Sequence, residues 1–110
     1  MATYIKIEET LYPASISGRL IDHEWNNRSS KTILLTMPVS VAQSIFVDDI
    51  QWSIVEDGVD VNEQPTQFEY DNSEYCLAGI ITDYRDGTIS VKMGKLTDSE
   101  ILEIITGGTL

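Results

Sequence analysis

The stretch Tyr75-Cys-Leu-Ala-Gly-Ile-Ile-Thr-Asp-Tyr-Arg-Asp-Gly-Thr-Ile-Ser-Val-Lys-Met93 decides the fold class. Tyr75 to Thr82 is strongly apolar and of strand length. Asp86-Gly87 marks a hairpin turn, because glycine tolerates the positive φ that a tight reversal requires. Thr88 to Met93 runs back, with Ile89, Val91 and Met93 on one face and Ser90 and Lys92 on the other. That two-residue period belongs to a half-buried strand. A lone hairpin is marginal in water, so its apolar face demands further strands or a helix.

Those strands are found upstream. Thr3 to Glu8 alternates, with Ile5 and Ile7 opposed to Tyr4, Lys6 and Glu8. Glu8, Glu9 and Thr10 form a turn into Leu11 to Leu20, where Tyr12, Ala14, Ile16, Gly18 and Leu20 share a face and Ser15, Ser17 and Arg19 share the other. Pro13, which lacks an N–H, restricts its strand to an edge or a strand start. Asp22 to Ser30 is a polar loop around Trp25. Lys31 to Met37 carries apolar groups on both faces and reads as a central strand. Pro38 ends it. Ser40 and Gln43 then form a capping-box pattern ahead of a short helix over Val41 to Val47 that buries Ala42, Ile45 and Phe46. Ile50 to Val55 is a further strand, with Trp52 and Ile54 facing one way.

Glu56 to Glu74 is the least regular segment, with Gly58, Pro65 and seven acids, and strand character resumes at Gln67 to Tyr70. It is expected to be a mobile acidic excursion, a β-arm that buries little. Past Met93, Thr97 and Glu100 form a second capping box, and Leu96 stands opposite Ile101 as a hydrophobic staple. Ile101, Leu102, Ile104 and Ile105 make one apolar helix face, and Gly107 supplies the left-handed stop. So short a helix is unstable alone and must dock on the sheet or on a partner. The expectation is a β-rich α+β fold in a single domain, residues 1–110. An antiparallel sheet or partial barrel carries a short internal helix, and a C-terminal helix packs on it.

Eighteen Asp and Glu against seven Lys and Arg give a net charge of −11. Between Thr32 and Tyr84 there are ten acids and no base. Such a field repels phosphate and disfavours nucleic acid or an anionic membrane as partner. The single cysteine, Cys76, excludes an intramolecular disulfide and a cysteine-based metal site, and its flanks suggest a buried strand position. The sequence shows neither a signal-peptide pattern nor an apolar run of membrane-spanning length, so the host cytoplasm or a virion is the expected location.

Catalytic groups are sparse. His23 sits between Asp22 and Glu24, the types needed for a base oriented by a carboxylate, but no activated nucleophile accompanies it. It reads as an exposed loop histidine. Asp57, Asp60, Asn62 and Glu63 are closely spaced without the ligand order of a calcium loop. No glycine pattern cradles phosphate. No enzyme activity, metal or cofactor is expected. The candidate interaction surface is Trp25 and Arg28 in the polar loop with Asp57, Asp60 and Glu63 in the acidic segment. Trp25 suits stacking on a sugar ring or anchoring a protein partner, or else it folds back to close one end of the core.

The runs Tyr4–Ile7, Leu11–Ala14, Trp25 and Arg28–Lys31, with Tyr70–Cys76, Asp83–Thr88 and Val91–Gly94, resemble a group of small uncharacterised proteins. These are encoded in prophages and phages of gut Firmicutes, usually near tail and lysis genes. The resemblance spans most of the chain, and no functional residue is carried over from it. It implies a setting: a virion accessory or tail-associated protein, or a factor acting in the infected host. The expected function is therefore a non-enzymatic structural or tail-associated component working through protein–protein contacts. Phage structural proteins, or a second copy meeting a sheet edge or the C-terminal helix, would be its partners. The alternatives are an acidic host-directed protein that mimics nucleic acid or blocks a basic host protein, and a sugar-binding module centred on Trp25.

Overall fold

A computed structural model describes residues 2–106. Seven strands and two helices follow one another as β1 (Thr3–Ile7), β2 (Thr10–Asp22), β3 (Arg28–Thr36), α1 (Val39–Ile45), β4 (Trp52–Val59), β5 (Pro65–Asp71), β6 (Leu77–Asp83), β7 (Thr88–Gly94) and α2 (Asp98–Ile105). The strands form one open sheet in the order β5-β4-β1-β2-β3-β7-β6, and every neighbouring pair is antiparallel.

The long strand β2 joins the two halves of this sheet. Its first four residues pair with β1, from Ile7 opposite Thr10 to Tyr4 opposite Pro13. From Ala14 onward it pairs instead with β3 on its other side. Pro13 falls where the ladder changes sides, which is how a residue without an N–H is tolerated in a strand that lies inside the sheet order. β3 is flanked by β2 and β7, the central position its two-sided apolar pattern implies.

The core gathers Ile5, Ile7 and Trp52 from one half with Ile33, Leu35, Ile89, Val91 and Met93 from the other, closed by Ala42 and Phe46 from α1 and its C-cap. The β6–β7 hairpin turns through Tyr84 to Gly87, with Gly87 at φ +96°. Each of Asp83 and Asp86 accepts a backbone N–H two residues on, from Arg85 (2.8 Å) and Thr88 (2.9 Å).

Three local expectations are corrected. Glu56 to Asp71 is the little-buried β-arm expected, but it is regular where irregularity was expected. β4 and β5 continue as a hairpin from Ser53 opposite Asp71 to Val59 opposite Pro65. Gly58 makes room for it: a Cβ there would lie 2.6 Å from the Phe68 ring of the facing strand. The first helix begins at Val39 with Pro38 as N-cap and no side-chain cap, so Ser40 lies inside the first turn and its box with Gln43 does not form. The capping box of Thr97 and Glu100 does form. However, α2 is not seated on the sheet by its apolar residues; none of its residues is buried. The Gly107 stop lies outside the described residues. Among those described, no helix is long and apolar enough to cross a membrane.

Candidate interaction surface

The link between β2 and β3 is a tight reversal. Trp25 and Asn27 both donate backbone N–H bonds to the Asp22 carbonyl, at 3.0 and 2.9 Å. Asn26 and Asn27 occupy the left-handed region (φ 57° and 59°), which asparagine tolerates better than most residues. The reversal lays the Trp25 indole over β6 and β7 where those strands present Gly79 and Gly94. A Cβ on Gly79 would fall 2.7 Å from the indole, and one on Gly94 2.8 Å from it. Trp25 is thus half-buried on a floor of bare backbone.

Arg28 follows and is buried, with its guanidinium 5.0 Å from the centre of the indole. Its Nη1 donates to the Lys95 carbonyl at 2.8 Å and to Glu100 Oε1 at 2.6 Å, and Nη2 donates to Glu100 Oε2 at 3.0 Å. Glu100 Oε1 also accepts the Thr97 backbone N–H at 2.8 Å. One carboxylate therefore caps α2 and clamps it to the sheet. Arg28 first, then the Thr97 N–H, pull the Glu100 carboxyl down to about 2. The same fork raises the pKa of Arg28.

Beside this clamp lies a buried acid. Asp22 is fully enclosed and accepts from Ser30 Oγ at 2.7 Å, Lys92 Nζ at 2.8 Å and the Glu24 backbone N–H at 3.0 Å. Lys92 and Ser30 hold its carboxyl at about 2. Asp22 is committed to this cluster and does not orient His23. The imidazole is exposed, and its Nδ1 lies 2.8 Å from Asn27 Oδ1. Cys76 is half-buried in the β5–β6 connection rather than in a strand. Burial, with Asp49 nearby, pushes its thiol up.

Asp57, Asp60 and Glu63 sit elsewhere, on the β4–β5 arm. Asp60 Oδ1 accepts from the backbone of Asn62 (2.8 Å) and Gln64 (3.0 Å) and so builds the turn. Asp57 accepts from Gln67 Nε2 at 3.1 Å. Glu63 holds a left-handed turn position at φ 61°. The arm contains the β5 end of the sheet, whereas Trp25 and Arg28 cover the β6–β7 end. The five residues therefore divide into two separate places.

What the residue patterns missed is the attachment of α2. Its capping box was legible, but the Arg28–Glu100 pair spans 72 positions and leaves no local signal. The helix is held by this polar fork, and its apolar residues Ile101, Leu102, Ile104 and Ile105 are 41, 60, 64 and 75% exposed. Asp98 and Glu103 lie on the same helix, which has no base in its last turn. No family model matches this chain, and neither does a curated protein or a solved structure.

Proposed function

We propose that the chain is a non-enzymatic, tail-associated component of a phage particle that works through protein–protein contacts, with α2 as its contact element. The observation that carries this reading is the outward apolar face of a helix tied to the sheet by the Arg28–Glu100 fork. A short helix gains its stability from burying such a face. Each of these side chains would contribute about 1–2 kcal/mol on full burial. Acids on the same helix and a net charge of −11 select the occupant: a structural partner whose apolar groove is rimmed by Lys and Arg. The phage setting rests on the resemblance of the sequence runs.

Mass spectrometry of purified particles tests it. The wild-type chain is expected in particles in stoichiometric amount, and a folded Leu102→Ser/Ile105→Ser variant is expected to be lost from them. Absence of the wild-type chain from particles defeats the reading.

A second reading is favoured by the acidic β4–β5 arm, which exposes Glu56, Asp60, Glu63, Glu69 and Asp71 along one hairpin. Such a surface suits a host-directed protein that occupies a basic, nucleic-acid-binding partner. It requires the chain to be missing from particles and to capture a basic host protein in a salt-sensitive way.

A further inference from the structure

The β2-β3-β7-β6 end of the sheet has two faces. One carries Ile33, Leu35, Ile89, Val91 and Met93 into the core. The other carries the alternate residues Ser30, Thr32 and Leu34 of β3, with Gly94, Lys92 and Ser90 opposite them on β7. None of these six is an acid, in a chain that has 18.

An aromatic side chain stands at each end of this outer face. At one end the Cζ3–Cη2 edge of Trp25 meets Gly79 and Gly94. At the other the exposed Tyr84 donates its hydroxyl to Ser90 Oγ at 3.2 Å. Ser90 and Gly94 lie four residues apart on β7, about 13 Å along the strand. Each aromatic ring walls a hollow. The first, about 280 Å³, is lined by Glu24, Trp25, Ala78, Gly79, Ile80 and Lys92. Glu24 brings a carboxylate and Lys92 an ammonium. Gly79 brings only backbone, on an end strand whose outward N–H and C=O groups have no neighbouring strand. The second hollow, about 270 Å³, sets Tyr84 and Leu34 beside the hydroxyl residues Ser15, Ser17, Thr32 and Ser90.

We propose that this face binds a neutral oligosaccharide, with one sugar ring against Trp25 and another against Tyr84. The walls select that ligand. A cation at the indole would meet Arg28, 5.0 Å from the ring centre, and Lys92. An anion would meet Glu24 and the field of a chain at −11. An apolar ligand would strip water from Glu24 and offer it no hydrogen bond. A sugar ring has C–H faces that stack on an aromatic plate and hydroxyls that both donate and accept. Its hydroxyls can donate to Glu24 and accept from Lys92, whose bond to Asp22 at 2.8 Å uses one of three donors. A larger hollow of about 510 Å³, at β1, β4 and β5, lacks this combination: its Lys6 is paired with Glu69 at 3.3 Å, and its one aromatic, Trp52, is buried. The proposed site shares no residue with the α2 contact face and does not rest on the particle reading.

Titration of the full chain with the neutral tetrasaccharides of glucose, galactose, mannose and N-acetylglucosamine tests the proposal. At least one is expected to bind with a Kd below about 10 mM and to perturb Trp25 emission. Trp52, 2% exposed, supplies a constant background. Amide shifts in the wild-type chain must fall on Gly79, Ile80, Ser90 and Lys92. Glu24→Gln is expected to weaken binding about tenfold, and Tyr84→Ala about threefold or more. Leu102→Ser/Ile105→Ser is expected to bind as the wild type does, so failure to bind sugar and absence from particles are separate results. No binding of any of the four at about 10 mM overturns the proposal, as do amide shifts confined to other parts of the molecule. An unchanged affinity in Tyr84→Ala overturns the two-ring face. A sulfated tetrasaccharide or a lysine tetrapeptide that binds more tightly than every neutral sugar overturns the choice of ligand.

Discussion

Gly79 and Gly94 show how a missing side chain becomes a docking platform. The Trp25 indole approaches so closely that Gly94→Ala would set a methyl 2.7 Å from Arg28 Cδ and 2.8 Å from the indole. The ring must lift, and stability should fall by about 1–3 kcal/mol, the usual cost of overpacking. Acrylamide quenching separates this effect from Trp52, which is 2% exposed: the quenchable fraction should rise in Gly94→Ala while Trp52 stays protected. Asp22 makes a pH prediction at the same site. Its folded pKa, about 2, lies below its unfolded value, 3.8. A depressed carboxyl stabilises the fold above its unfolded value and loses that contribution as pH falls toward the folded one. Thermal stability should therefore drop between about pH 4.5 and pH 2, and Asp22→Asn should flatten that drop while lowering stability at pH 7. An unchanged acid limb in the variant would assign the loss to other carboxylates.

Helix α2 depends on Glu100 twice, as N3 of the capping box and as the partner of Arg28. Glu100→Ala removes both and should cost about 1–3 kcal/mol or detach the helix. Arg28→Lys breaks the fork, together with the Lys95 carbonyl bond and the stacking on Trp25, while leaving the capping box in place. Lysine offers a point charge and cannot pair with both oxygens in the planar geometry of arginine. Amide exchange in Ser99 to Ile105 should accelerate in Arg28→Lys while exchange in β3 and β7 stays slow. If the helix amides keep wild-type rates, the clamp is not what holds α2. In the β4–β5 hairpin Gly58 leaves space for the Phe68 ring, and Gly58→Val should displace that ring without disturbing the core.

Over the molecule as a whole, charge is segregated. Residues 10–47 carry two acids, Asp22 and Glu24, and the other sixteen lie outside that segment. The shape is extended, 55 × 38 × 25 Å, with a radius of gyration of 15.7 Å against about 13 Å for a compact domain of this length. An elongated outline separates like charges, yet a net −11 still opposes folding. Raising salt from about 20 to 200 mM shortens the screening length severalfold and should raise the melting temperature by a few degrees. A fall instead would mean that the ion pairs of Arg28 and Lys92 outweigh the general repulsion.

The alternation of Ile5 with Ile7, Ile33 with Leu35, and Ile89 with Val91 and Met93 was enough to give the strands, because burial on a pleated surface repeats every second residue. The turn at Asp86-Gly87 and the cap at Thr97 were equally plain, since each is built from neighbours along the chain. Other features depend on partners far away in sequence. The β4–β5 arm looked irregular because its acids hide a pattern supplied by cross-strand bonds. Arg28 looked like a surface residue until Glu100 came to meet it, and Trp25, readable either as an exposed anchor or as a ring folded back on the core, is laid over Gly79 and Gly94, both far from it in sequence. The helix face at Ile101 to Ile105 was readable as apolar, but whether it lay on the sheet was settled by folding, which anchors α2 through charge and leaves that face outside.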